Sequence, residues 1–405
     1  MKIYDDTKFF IFAPAKYYSG GALVLHQLGS ALKRLNYDVY MFYFDPYISG
    51  LEAVHPLLRK FHLPVADAIE DEPKNIVIVP EVVPSKSTFI RNAQIIIWWL
   101  SVDNHFNVFV KYINKYVEQR FFLNYPAPTL HPIKFFECDH LYQSEYARQF
   151  LIYNGLPEEK IFALADYLDP DFLLRSPKID LSLKKNIVVF NPKKGFEFTK
   201  KIMEASQGLD FLPIYDMTPE EVRNLLARSK IYIDFGEHPG KDRIPREAAM
   251  SHCVVITSRR GAADNSIDVP IDDDFKFGDI PENIPAILEK IKYVFENFKT
   301  EHDRQNSYRE KILPERDQFF DDVDSIFKQD SKPRMNIAIA GNLQDMEEIC
   351  DELIHERDIE IVFAVNDELA GNIINYNDLF DLEVISTADA EFLYNERRID
   401  RFVVR

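Results

Sequence analysis

The chain has 405 residues, of which 46% are hydrophobic, and a formal net charge of −18. This apolar content supports packed cores and argues against disorder. The acidity argues against a general nucleic-acid binder, which needs Lys and Arg to neutralise phosphate. Cys138, Cys253 and Cys350 are too far apart for a disulfide framework or a metal-ligand spacing and suit a reducing cytoplasm. Met1–Asp6 leads straight into a short apolar run without the pattern of a signal peptide, and no stretch reaches the ~18 apolar residues of a membrane span.

Strand-length apolar runs alternate with helical patterns along the chain. Phe9–Ala13 reads as a strand, Gly21–Leu35 as a helix, and Val39–Phe44, Ile76–Val79 and Ile95–Leu100 as further buried strands. His140–Gln143 is a short strand followed by the helix Ser144–Asn154. Ala163–Lys178, with two prolines and several acids, reads as a linker. The order then restarts with strand Asn186–Phe190, helix Gly195–Ala205, a short strand at Phe211–Ile214, and helix Thr218–Arg228, where Thr218 and Glu221 match a capping box. Strand Ile231–Phe235, helix Pro245–Ser251 and strand Cys253–Thr257 follow, and Pro281–Phe298 and Tyr308–Phe327 read as long amphipathic helices. After Ser331-Lys332-Pro333 a third strand-helix-strand order begins at Met335–Ala340, with Asp345–Glu356 as its helix and Ile359–Val365, Glu383–Ser386 and Phe402–Val404 as further strands. Residues 331–405 carry 7 basic and 17 acidic side chains, a balance of −10, which sets a compositional boundary near Asp330. So few elements read as a small appendage or the start of a further module.

The expected fold class is therefore α/β: two Rossmann-like domains, residues 1–165 and 166–330, plus a partial third Rossmann-like unit, 331–405. Five loops carry the candidate chemistry. Ser19-Gly20-Gly21 is either a phosphate-approaching helix start or an ordinary tight turn. Asp103 and His105 follow a buried strand, where each meets a ligand or caps the next element. Lys193-Lys194-Gly195 opens a helix directly after a strand, a position suited to neutralising a diphosphate. The run Asp234–Met250 packs Glu237, His238, Lys241, Asp242, Arg243 and Glu247 between a buried strand and a helix, too dense in charge for helix-dipole compensation alone. Arg259–Asn265 follows the next strand, where its small residues line a diphosphate or form an ordinary loop. Asp272-Asp273-Asp274 reads as an exposed acidic turn, so no DxD-type metal site is expected.

Taken in order, these motifs resemble the retaining nucleotide-sugar glycosyltransferases of family four, which have the GT-B fold of two Rossmann-like domains facing a cleft. The resemblance rests on Gly20-Gly21 and its helix, the segment CDHLYQSEYARQFLIYNGLPEEKIFALADYLDPDF (Cys138–Phe172), Lys194-Gly195, and Glu247-Ala248-Ala249-Met250 before Cys253–Thr257. It spans about residues 9–328. It implies that Lys194 meets the donor diphosphate and Glu247 the ribose hydroxyls. Gly20-Gly21 would lie near the donor phosphates and the acceptor, and Asp103 or His105 would touch the donor sugar. Pro239 stands where the family has a second Glu, with Glu237 the nearest acid, and the usual basic residue before the Lys is missing. Lys241 or Arg243 would supply that second cation.

The expectation is a cytoplasmic, metal-independent glycosyltransferase. It would take a nucleotide diphosphate sugar as donor substrate, with no bound cofactor, and a glycan or lipid-linked glycan as acceptor. The acceptor would bring it to the inner face of the membrane, in polysaccharide or glycoconjugate synthesis. Asp103, His238 and Glu247 are the expected catalytic residues, and Gly20, Gly21, Lys193, Lys194, Lys241, Arg243 and Glu247 the donor-binding ones. A sugar-nucleotide epimerase on the same fold and a degenerate, non-catalytic scaffold are the alternatives.

Overall fold

A computed structural model describes residues 1–4, 6–44, 50–107, 132–328, 335–353, 359–376, 380–396, 398–399 and 401–404. The chain divides into two compact units. One comprises Met1–Pro80, Lys86–Ile96 and Phe320–Arg405, and the other Glu81–Ser85 and Ile97–Phe319. These units are drawn differently from the sequence division at 165, set by the expected linker, and at 330, set by the shift in charge. The Ser331-Lys332-Pro333 break lies outside the described residues.

In the first unit, β1 (Lys8–Ala13) runs parallel to both β2 (Asp38–Tyr43) and β3 (Ile76–Pro80). All five residues of β3 are buried, as a parallel strand covered on both faces requires. α1 (Gly20–Arg34) follows β1 and buries Leu23, Leu25, Leu28, Ala31 and Leu32 at helical spacing. β4 (Gln94–Trp99) runs from the first unit's residues into the second's.

The second unit contains the parallel pair β5 (Asp139–Tyr142) and β6 (Ile161–Ala163), joined through α2 (Glu145–Tyr153), which Ser144 caps. The segment expected as a linker is structured instead. It holds the end of β6 and α3 (Pro170–Arg175), with Leu164, Asp166, Tyr167 and Leu168 buried. A five-stranded parallel sheet follows in the order β11-β10-β9-β7-β8, from β7 (Lys185–Phe190), β8 (Asp210–Pro213), β9 (Ser229–Asp234), β10 (Val254–Ser258) and β11 (Lys276–Phe277). The crossover helices are α4 (Phe196–Ala205), α5 (Pro219–Arg228) with its Thr218–Glu221 capping box, and α6 (Arg243–Met250). α7 (Ile284–Glu296) and α8 (Phe298–Asp303) follow, and Val188, Ile231, Ile233, Val255, Ile202, Leu226 and Ile291 share one core with them. The single helix expected at Tyr308–Phe327 is two, α9 (Asn306–Ile312) and α10 (Glu315–Ile326). Pro314, which lacks an N–H, falls at the break.

The first unit resumes with a second five-stranded sheet, ordered β14-β15-β13-β12-β16. Its strands are β12 (Met335–Ala340), β13 (Ile359–Val365), β14 (Ile373–Tyr376), β15 (Phe380–Ile385) and β16 (Arg401–Val404). Its strand pairs are parallel except β14 with β15. Alternate residues of β12 face opposite sides: Ile337 and Ile339 pack with α11 (Leu343–Leu353), Ala338 with Leu393 of α12 (Thr387–Asn395). β14 and α12 were not expected from the sequence. α12 rests on Pro56–Phe61 of the same unit, where the Phe61 and Phe392 rings meet at 5.0 Å, and buried Arg398 donates to the Phe61 carbonyl. Among the described residues no helix is long and apolar enough to cross a membrane.

Candidate functional site

Because β7, β9, β10 and β11 run parallel, the loops that leave them share one edge of the sheet, the edge where open α/β sheets bind ligands. Three of these loops are locked together through backbone. Gly195 has φ +54°, and a Cβ there would lie 2.3 Å from the Phe235 carbonyl oxygen, so the turn admits only glycine. A Cβ on Gly261 (φ +52°) would lie 2.1 Å from the His238 carbonyl, which accepts from the Ala262 N–H at 2.8 Å. Ser258 Oγ donates to the Gly236 carbonyl at 2.9 Å. α4 has no side-chain cap, which leaves N–H groups of its first turn for another acceptor.

Charged side chains fill this frame. Lys194 Nζ donates to Asp242 Oδ1 at 2.7 Å, and His238 Nδ1 is 3.0 Å from Asp242 Oδ2. On its other side, His238 Nε2 lies 3.2 Å from the Asp234 carbonyl and 3.8 Å from its carboxylate. Asp234 also accepts from Tyr232 Oη and the Gly236 N–H. Burial by itself would lower the pKa of His238, but the carboxylates of Asp234 and Asp242 raise it above the ordinary value. The same balance raises Lys194, where burial opposes and Asp242 favours the charge. Asp242 is held below its ordinary value: burial opposes its charge, while Lys194 and His238 favour it. The ligand atoms of Asp234, His238 and Asp242 lie within 4.8 Å of one another, a spacing that suits a metal ion. The Lys194 ammonium already counters the Asp242 charge, so a divalent cation there would meet a like charge.

A second cluster braces the loop from below. Buried Arg246 donates from Nη2 to both Asp166 carboxylate oxygens, at 2.7 and 2.9 Å, and from Nη1 to Glu315 at 2.7 Å. Lys241 pairs with Glu315 at 2.8 Å. Gln143 donates to Asp166 at 2.9 Å and accepts the Lys241 N–H at 3.3 Å. Burial opposes the Arg246 charge, yet the two carboxylates raise its pKa. The three charged partners are far apart in sequence, and only the fold brings them together. Removing Arg246 would leave the fully buried Asp166 carboxylate without a cation, at a cost of ~3–5 kcal/mol.

The structure collects most of the expected site residues in this unit. Glu247 is half-buried on α6, with Arg243 at 3.4 Å; burial raises its pKa, while Arg243 and Arg246 oppose that rise. Lys193 is exposed beside Lys194. Asp103 accepts from Tyr146 Oη at 2.8 Å, and the Tyr146 ring lies 3.4 Å from where a Gly261 Cβ would be, so Asp103 reaches the same neighbourhood. His105 turns to the Glu81 carbonyl at 2.6 Å, and its ring lies tilted against Trp99 at 5.0 Å. His238 is 1% exposed and lies between the carboxylates of Asp234 and Asp242. Glu237, the acid nearest Pro239, is exposed. Gly20 and Gly21 belong to the first unit, as the first residues of α1 after its cap Ser19. The sequence placed Asp242 in the charged run without a role of its own, and Asp166, Arg246 and Glu315 gave no signal of their pairing.

No family model matches the sequence, and no curated protein sequence matches it. In structure, the chain is similar to a glycosyltransferase from Rickettsia africae ESF-5, with a TM-score of 0.55 and 16% identity over 80% of this chain and 100% of that one. It is also similar to Anabaena Alr3699/HepE in complex with UDP-glucose, with a TM-score of 0.51 and 14% identity over 80% of this chain and 97% of that one. The same Anabaena protein with UDP and glucose matches at a TM-score of 0.50 and 13% identity, over 80% of this chain and 98% of that one.

Proposed function

From the GT-B fold that the chain shares with these glycosyltransferases, we propose that it transfers a sugar from a nucleotide diphosphate sugar to a hydroxyl of a glycan acceptor. The observation that carries this reading is the Lys194-Gly195 turn, where an ammonium and an uncapped helix start meet at the carboxyl edge of a parallel sheet. Lys194 neutralises the diphosphate as it leaves, and the N–H groups at the start of α4 bind its oxygens. Asp242, flanked by His238 and Lys194, keeps the ammonium aimed and charged. Glu247 accepts hydrogen bonds from the ribose hydroxyls. Asp103, oriented by Tyr146, faces the donor sugar. The UDP-glucose named for the Anabaena relative supports a nucleotide-sugar donor. We place the enzyme in the cytoplasm, where nucleotide sugars are made, acting on a glycan or lipid-linked glycan without a metal ion.

Incubation of the full chain with a panel of UDP-, GDP- and ADP-sugars should release the nucleoside diphosphate from one of them, at a rate that EDTA leaves unchanged. Release from none contradicts the proposal, and a rate abolished by EDTA contradicts its metal independence.

A further inference from the structure

Taking the donor site above as its premise, the distribution of cations at the carboxyl edge carries a further assignment. A diphosphate needs more than one positive partner, and the sequence offered Lys241 and Arg243 as the second. The fold uses both elsewhere: Lys241 pairs with Glu315 and its side chain is 13% exposed, and Arg243 pairs with Glu247 and is 18% exposed. Arg260 differs. It follows β10, its side chain is 52% exposed, and its Nε lies 3.0 Å from Asp279 Oδ2. The Arg260 loop abuts the His238 carbonyl through Gly261, and Ser258 ties the end of β10 to Gly236, where a Cβ would lie 2.4 Å from Lys194 Cβ. Asp279, just past β11, has a side chain only 6% exposed, and its Oδ1 has no hydrogen-bond partner.

We propose that Arg260 is the second cation for the donor diphosphate, held at the rim by Asp279 until the diphosphate takes the place of the carboxylate. A guanidinium suits this task because its planar fork matches phosphate oxygens. Burial pushes Asp279 up to about 6, against the pull of Arg260, so its carboxylate is a weaker competitor than an ordinary one.

Calorimetry of the full chain with UDP, GDP and ADP, each against its monophosphate, tests the assignment. Arg260→Ala should lower the ratio of diphosphate to monophosphate affinity about tenfold, the scale of one charge-assisted hydrogen bond at an exposed position. Arg260→Lys should restore part of it, and Asp279→Asn should tighten diphosphate binding by removing the competitor. An unchanged ratio in Arg260→Ala overturns the proposal, as does a fall that appears in Lys193→Ala instead. A wild-type chain that binds none of the six nucleotides overturns the donor-site reading and this proposal with it. Wild-type binding with an unchanged ratio in the variant overturns this proposal alone.

Discussion

α1 and α4 both follow a buried parallel strand, and a glycine stands at the start of each, yet the two turns are built for different ends. At α1, Ser19 Oγ accepts the Ala22 N–H at 3.2 Å, and every residue from Ala22 to Leu32 is buried. At α4 the cap position is Gly195 in the left-handed region, no side chain caps the helix, and only Thr199 and Ile202 are buried. The first helix start is closed by the chain's own side chain and anchors a core. The second is held open by a glycine whose carbonyl-facing side has no room for a Cβ, and it carries Lys194 beside it. A glycine at a helix start thus says little until its φ and the helix's cap are known.

The largest effect should come from closing the open start. Gly195→Val puts a β-branched residue at φ +54° and forces its Cβ against the Phe235 carbonyl. It should cost at least ~2 kcal/mol of stability and abolish diphosphate binding, as measured by urea denaturation and calorimetry. Neither glycine at the start of α1 has a positive φ.

Next, Lys194→Ala should weaken nucleoside diphosphate binding by ~1–3 kcal/mol, the scale of a lost charge-assisted hydrogen bond. An unchanged affinity would mean that the turn at α4 is only a turn.

The histidines on the two sides of the comparison should titrate in opposite senses. His26 on α1 is fully buried; its Nδ1 donates to the Ala22 carbonyl, and its Nε2 lies 2.8 Å from Tyr43 Oη. Burial lowers its pKa to about 4. The unfolded chain therefore binds this proton first, and stability is lost as pH falls from about 6.5 toward about 4, by ~1.4 kcal/mol per pH unit at most. His140 and His302, also lowered to about 4 by burial, act in the same direction. His238 has a raised pKa, so its contribution is full below about 6.5 and is lost as pH rises through its folded value. Urea midpoints measured from pH 5 to 8 should fall less steeply on the acid side in His26→Gln. They should fall less on the alkaline side in His238→Gln.

The smallest effect belongs to the closed start. Ser19→Ala should cost ~1 kcal/mol of stability through the lost cap. Calorimetry should show diphosphate affinity unchanged, because the cap serves the helix.

Much of this frame was legible in the sequence because local rules agree with the fold. The apolar runs at Ile76–Val79 and Ile95–Leu100 are too short for helices and too apolar for exposed strands, and the Thr218–Glu221 pair announced α5. α12 was missed because Thr387–Asn395 buries only Ala390 and Leu393, too few to set a period. The break at Pro314 was readable and was passed over in favour of a single apolar stripe. At the site, Lys194 was legible as a candidate from its place after a strand and Glu247 from the first turn of the helix expected from Pro245. The cluster of Asp166, Arg246 and Glu315 was not, since pairs separated by 80 and 69 residues leave no local trace. Lys241 and Arg243 stand in the charged loop, but each is already paired, Lys241 with the distant Glu315 and Arg243 with Glu247 one turn on.

A crystal structure of the full chain with the nucleoside diphosphate that binds best tests the central claim most directly. The account predicts the diphosphate at the start of α4, within hydrogen-bond distance of Lys194 Nζ and the N–H groups of the first turn, with the ribose hydroxyls on Glu247. A diphosphate bound at the Ser19–Gly21 turn instead, or a ribose away from Glu247, would contradict it.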